Sequence, residues 1–200
     1  MPFISRCLPF TLLRRPSRRH GLRPVVALAA VVTLVLVACG GDDASDAPSS
    51  TSAGAGEVQT FDDLSQTHTE GPVDYPQTPP VGGDHAPVWQ NCGFYNDPVP
   101  SESAVHSLEH GAVWITYRPG LDRASVEALA ATAGLRSYVL VSPWDGGDLP
   151  APVVLSAWGA QLPLEDLDGP ALDDFLSTYL EAATSPEPGA PCTRGEGVPR

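Results

Sequence analysis

Two hundred residues with 24 acidic and 11 basic side chains, and a net charge of −13, suit one domain with a strong negative field. Such a surface repels phosphate backbones and anionic headgroups, which excludes a nucleic-acid partner and direct adsorption to a bilayer and favours cationic partners, metal ions among them. Every basic residue is arginine, and the single methionine stands at the initiator position, so there is little soft sulfur for Cu(I).

The chain opens with arginines at positions 6, 14, 15, 18, 19 and 23, then an apolar run from Val25 to Val37 that ends in Ala38-Cys39. That run is shorter than the ~20 residues a bilayer core requires, so it suits a signal-peptide core better than a span. It resembles a bacterial lipoprotein signal, in which a peptidase cuts before a cysteine whose thiol takes a diacylglyceryl group. On this reading residues 1–38 are the signal peptide and Cys39 is the lipidation site. The alternative is a plain membrane anchor with a chance cysteine. Loss of the leader removes six of the 11 arginines and none of the 24 acidic residues, so the remaining chain is more acidic still. Residues 39–60 then form the lipidated cysteine and a flexible tether, because Gly, Ser, Ala and Asp leave almost nothing to bury. Its typical reach is roughly 25 Å. Residues 61–200 are expected to make a single extracytoplasmic domain, anchored to the outer face of the cell membrane by lipid and able to meet a protein partner that the residues do not identify.

From 61 to 111 the chain is rich in Pro, Gly, His and aromatics without a sustained period, and reads as ordered loop. Ala112 to Tyr117 is β-branched and aromatic, bounded by Gly111 and Pro119-Gly120, and predicts a strand. Asp122 caps a helix with Val126, Leu129, Ala130 and Ala133 on one face, and Gly134 is placed as its C-terminal glycine. Tyr138 to Val141 predicts a second strand, Trp144 to Asp148 a turn, and Pro152 to Trp158 a return strand. Asp168-Gly169-Pro170 opens a second helix with Leu172, Phe175, Leu176 and Tyr179 along one stripe, stopped by Pro186 and Pro188. The order predicts an α+β fold: a small, mainly antiparallel sheet covered by two helices, preceded by a loop-rich His/Pro/Gly half.

With Cys7 in the leader and Cys39 assigned to lipid, Cys92 and Cys192 remain. Outside the cytoplasm such a pair is most often a disulfide, and closing about 100 residues contributes roughly 4–5 kcal/mol in the chain-entropy picture. Metal ligation by one or both sulfurs is the rival reading. Four of the five histidines, His68, His85, His106 and His110, crowd into the loop-rich half. Neutral imidazole is the commonest ligand for zinc, copper and nickel, whereas a lone loop histidine more often bonds to backbone. If residues 103–110 turn as a helix, His106 and His110 at i and i+4 share a face, with Glu109 beside them. The spelling matches the His-x-x-Glu-His metalloprotease pattern, but such enzymes set it inside a long helix, and here Gly111 and a strand follow at once.

Pro79-Pro80-Val81-Gly82-Gly83-Asp84-His85, Asn91-Cys92-Gly93-Phe94-Tyr95 and Ala104-Val105-His106-Ser107-Leu108-Glu109-His110-Gly111-Ala112-Val113-Trp114-Ile115-Thr116-Tyr117, with the tail Glu187-Pro188-Gly189-Ala190-Pro191-Cys192, resemble the bacterial family of domain of unknown function 3105. The resemblance spans about residues 66 to 195. It implies membrane-anchored or secreted placement and no established activity, and its matched positions include His68, His85, His106 and His110. Asp84 departs from the family pattern, where proline is usual, and a carboxylate beside His85 could raise its pKa or supply an ion with an oxygen ligand.

The leading expectation is a transition-metal site made by His106 and His110 with His85, completed by His68 or Glu109. It would hold Zn(II) or Cu(II) for capture, storage or delivery at the cell surface, without turnover and without an organic cofactor. A second expectation, from another class, is a structural or protein-binding module in which the same side chains form a buried hydrogen-bond network. Trp89, Phe94, Tyr95 and Trp114 would then be its aromatic core or a docking patch. A metallohydrolase is the third, disfavoured by the absence of Gly-x-Ser-x-Gly and of a free thiol if the cysteines pair. All three depend on whether imidazoles distant in the chain converge.

Overall fold

A computed structural model describes residues 56–200; residues 1–38, Cys39 and most of the tether lie outside the described residues. The elements run β1 (Gln59–Thr60), β2 (Gly93–Phe94), α1 (Ser101–Glu109), β3 (Val113–Tyr117), α2 (Arg123–Leu135), β4 (Val139–Pro143), β5 (Val153–Ala157), β6 (Ala160–Leu164) and α3 (Ala171–Tyr179). The strands form one six-stranded mixed sheet in the order β1-β6-β5-β3-β4-β2. Among the described residues no helix is long and apolar enough to cross a membrane.

The α+β class expected from the pattern is present, and three of the five strand pairings are antiparallel: β1 with β6, β6 with β5, and β5 with β3. The topology differs from a simple meander. Helix α2 is a crossover between β3 and β4, which therefore pair in parallel, and β5 returns beside β3 rather than beside β4. The hairpin is β5–β6, closed at Trp158-Gly159, where Gly159 sits at φ 71° and a Cβ would meet the Phe61 carbonyl oxygen at 2.9 Å. Strand β6 carries Pro163, which argues against a strand in the sequence. Pro163 lies beyond the two residues, Ala160 and Gln161, that β1 pairs, and faces away from β5, so its missing N–H is tolerated while its carbonyl still accepts. Residues 56–60, which composition assigns to the tether, join the sheet through β1 and through Gly56 N–H to the Pro163 carbonyl at 2.7 Å.

Two helices cover one face. Leu129 of α2 and Phe175 and Leu176 of α3 pack on Val113, Ile115, Val139, Val141, Val153, Leu155 and Leu162. α2 begins as the sequence indicates, with the Asp122 carboxylate accepting from Ser125 N–H at 3.0 Å. It does not end at Gly134, which lies in its last turn; the chain leaves in extended form at Arg136 and turns at Tyr138, φ 60°.

The opposite face of the sheet presents Trp114 and Leu140, and the loop-rich half packs there with Tyr95, Val99, Ala104, Val105 and Leu108, joined by Trp144 and Trp158 from the ends of β4 and β5. That half contains a third helix, α1, where the sequence reading anticipated only loop and a possible turn. Every residue from Ser103 to Glu109 is buried, so the polar side of α1, with Ser103, His106 and Ser107, is covered by loops instead of carrying solvated charges, and nine residues are too few for a sustained period. With layers on both faces, β3 is buried along its whole length. The Cys92–Cys192 disulfide is formed, its Cα atoms 5.4 Å apart, and it ties the C-terminal tail beside β2. The tail is further held by Glu196 N–H to the Trp89 carbonyl at 2.9 Å and Asn91 N–H to the Glu196 carbonyl at 2.9 Å.

Candidate metal centre

Helix α1 buries Val105 and Leu108 against the sheet, which leaves His106, Glu109 and the C-capping His110 to face the loops. Those loops deliver two more imidazoles. Residues 67–69 and 85 meet in a short parallel bridge, with His85 N–H to the Thr67 carbonyl at 3.0 Å and Thr69 N–H to the His85 carbonyl at 2.8 Å, so His68 and His85 lie side by side. The turn into His85 needs its glycines. Gly82 adopts φ 146° and a Cβ there would lie 2.7 Å from Leu64 Cδ1.

Four side chains converge: one donor atom each from His68, His85, His106 and Glu109 lies within 4.8 Å of all the others. The Glu109 Oε2 is 3.0 Å from His85 Nε2 and 3.7 Å from His68 Nε2. The His68 and His106 rings stack at 4.9 Å, and His85 meets both edge-on at 4.9 and 5.0 Å. His85 is fully buried and Glu109 nearly so, while the His68 side chain is 50% exposed and gives the group its opening to solvent. His110 lies outside this group of four and touches it through His106, Nε2 to Nε2 at 3.0 Å.

The second ring nitrogens decide what the first can do. His85 Nδ1 lies 2.8 Å from the Gly83 carbonyl oxygen, His106 Nδ1 2.7 Å from that of Ala86, and His110 Nδ1 2.8 Å from that of Pro191. A carbonyl only accepts, so each Nδ1 carries the proton, and the Nε2 of a neutral ring carries a lone pair. His85 Nε2 then faces a carboxylate oxygen, and His106 Nε2 faces His110 Nε2, acceptor against acceptor. Two things relieve such contacts, an additional proton or a cation, and a backbone-anchored Nδ1 is the usual way a ligating histidine is oriented. For His106 the proton is disfavoured. Burial pushes it down to about 4 against the raising effect of the Ala86 hydrogen bond, and the neighbouring His110, His85 and His68 lower it further.

A tetrahedral zinc at ~2.1 Å from each ligand sets neighbouring donors ~3.4 Å apart. The 3.0 and 3.7 Å spacings around Glu109 bracket that value, and the exposed His68 is the member with room to close the wider gaps. The group contains no sulfur, and among the described residues both cysteines, Cys92 and Cys192, are bridged. These side chains are able to hold a metal ion, with three nitrogen ligands and one oxygen.

Asp84 does not join them: its Oδ1 accepts from Ser65 Oγ at 2.5 Å. The metalloprotease spelling is not set in a long helix, since α1 stops at Glu109. Two further neighbours adjoin the cluster, of which Trp89 was expected as an aromatic partner and Glu187 was not. Glu187, from the tail, brings Oε2 to 3.7 Å from His110 Nε2, and Trp89 packs against the His110 and His106 rings at 5.0 and 5.7 Å. The bridge from Cys92 to Cys192 was the available signal for Glu187, because it returns the tail to the neighbourhood of residues 89–92.

The fold and the group of side chains define a small α+β domain with a histidine and glutamate cluster able to hold a metal. The family described as "Protein of unknown function (DUF3105)" matches residues 66–194, and the chain belongs to it. No curated protein and no solved structure matches.

Proposed function

We propose that this protein is a lipoprotein, carried on the outer face of a membrane by lipid on Cys39, whose domain binds a divalent transition-metal ion through His68, His85, His106 and Glu109. The observation that carries the metal reading is the convergence of lone pairs. Three imidazoles and a carboxylate point donors at one volume, and the two buried rings have their other nitrogen committed to backbone carbonyls. Nitrogen and oxygen donors without thiolate favour Zn(II) or Cu(II) over Cu(I). The four ligands fill a tetrahedral shell, which suits capture, storage or delivery better than turnover, since a catalytic site keeps a position open for water. The acidic surface would concentrate cations near the opening at His68. The leader pattern, the acidic composition and a disulfide-bonded domain together support placement outside the cytoplasm.

The test is equilibrium titration of the full chain with zinc and with copper at neutral pH. We expect one ion bound with a Kd well below ~10 μM, and a loss of at least about tenfold in His85→Ala and in His106→Ala. Wild-type binding weaker than that, or unchanged binding in both variants, refutes the reading.

A second reading is supported by the same anchors. Through His85, His106 and His110 the loops at Gly83, Ala86 and Pro191 are all hydrogen-bonded, so the cluster would order the loop-rich half without any ion. It predicts that these substitutions lower the melting temperature in chelator while metal changes nothing.

A further inference from the structure

His110 adjoins the group of four through His106, and Glu187 adjoins His110, so that six side chains divide into two sets of the same composition. In the first, Glu109 Oε2 lies 3.0 Å from His85 Nε2 and 3.7 Å from His68 Nε2. In the second, His110 Nε2 lies 3.0 Å from His106 Nε2 and 3.7 Å from Glu187 Oε2. Each set is two imidazoles and a carboxylate, a donor composition with which proteins hold a divalent first-row ion and leave other positions to water.

His106 belongs to both neighbourhoods. Its Nδ1–H is committed to the Ala86 carbonyl, so it has one lone pair, on Nε2, and serves one ion at a time. With a single ion present it completes the shell of His68, His85 and Glu109. We infer that the cluster takes a second divalent transition-metal ion, Zn(II) or Cu(II), on His106, His110 and Glu187, and that the first ion then keeps His68, His85 and Glu109; this rests on the metal reading proposed above.

Three observations favour it. The His110 Nδ1 anchor to Pro191 orients that ring as the others are oriented and leaves its Nε2 lone pair against that of His106 at 3.0 Å, a contact that a cation relieves. The His106 ring lies 4.9 to 5.0 Å from His68 and His85 and 4.6 Å from His110, so the two ions would be near neighbours, on the scale of the ~3.5–4 Å of two-metal sites. The charge is also suitable. Each set supplies one carboxylate, and Arg136 and Arg200 are turned to Asp173 and Glu127. The two positions are unequal: the Glu187 side chain is 59% exposed and that of Glu109 only 5%. The second ion would therefore sit at the surface, bound more weakly and exchangeable, above a retained one.

The test is copper(II) titration of the full chain in detergent, with ions counted per chain and followed by electron paramagnetic resonance. We expect two copper ions. The first equivalent gives an isolated Cu(II) signal, and the second couples to it, lowering the integrated intensity and adding a half-field transition. Glu187→Gln, a surface substitution that leaves the fold intact, and His110→Ala should keep the first affinity within about threefold and weaken the second by about tenfold or more. Saturation at one ion overturns the inference and leaves the single-ion reading standing. Two ions with the second unaffected by either variant overturns the location. A wild-type chain that binds no copper sinks the single-ion reading and this one together.

Discussion

Replacing Glu109 by glutamine keeps the shape of the side chain, removes its charge and supplies an N–H, which separates the two ways of relieving the contact at His85. If the His85 Nε2 carries a lone pair, as the Gly83 hydrogen bond to Nδ1 implies, the wild-type contact of 3.0 Å without metal is acceptor against acceptor. The glutamine amide then donates to it, and the metal-free protein gains about 1 kcal/mol. For a domain of this size that raises Tm by about 2–4 °C. The same substitution removes the only charged ligand of the inner site and weakens zinc binding, for which about thirtyfold is a central value. At a zinc concentration that stabilises wild type by about 2.7 kcal/mol, the variant then gains only about 0.8 kcal/mol. Thermal unfolding followed by circular dichroism, in chelator and in excess zinc, measures both. The reasoning is refuted if Glu109→Gln in chelator loses about 3–5 kcal/mol, the loss expected when a buried imidazolium is deprived of its carboxylate. The cluster would then be an ion-paired network.

Other expectations can be tested in parallel. His106 has a folded pKa near 4, below its value in an unfolded chain, so the unfolded state binds the extra proton between about pH 6.5 and pH 4. Metal-free stability is thus full above that window and falls through it, and His106→Gln should flatten that part of a Tm-against-pH curve. Gly82→Ala places a methyl at a left-handed φ, 2.7 Å from Leu64 Cδ1, and should destabilise the metal-free domain by more than about 1 kcal/mol in urea unfolding while weakening metal binding through the displaced His85. Replacing Cys92 and Cys192 together by serine should lower stability by about 2–5 kcal/mol and expose Glu187 and His110 to faster amide exchange, whereas two reactive thiols in the untreated oxidised protein would deny the bridge.

What could be read in the residues followed from how visible each physical cause is along the chain. Ile115 and its neighbours announce a strand because β-branched residues stand between glycines, and Asp122 announces a helix start because its carboxylate has N–H groups to cap. α1 is faint for the opposite reason: it is nine residues long, and its polar side, with Ser103, His106 and Ser107, is buried under loops instead of carrying the charges of a solvated face. β6 hides behind Pro163, tolerated because it faces away from β5 and lies beyond the two residues that β1 pairs. The pairing of β3 with both β4 and β5 depends on where α2 crosses, which no local pattern encodes. At the cluster, residue type and crowding singled out the four histidines and Glu109. The division of labour was not legible, because it depends on which backbone carbonyl meets each Nδ1 and on a tail residue, Glu187, brought close by the fold.

The most direct test of the account is X-ray absorption at the zinc edge on the chain loaded with one equivalent. The account predicts four light ligands at ~2.0–2.1 Å, with the multiple-scattering pattern of three imidazoles, no sulfur, and loss of one imidazole in His85→Ala. A shell of five or six oxygens without imidazole scattering, or any sulfur at ~2.3 Å, would contradict it.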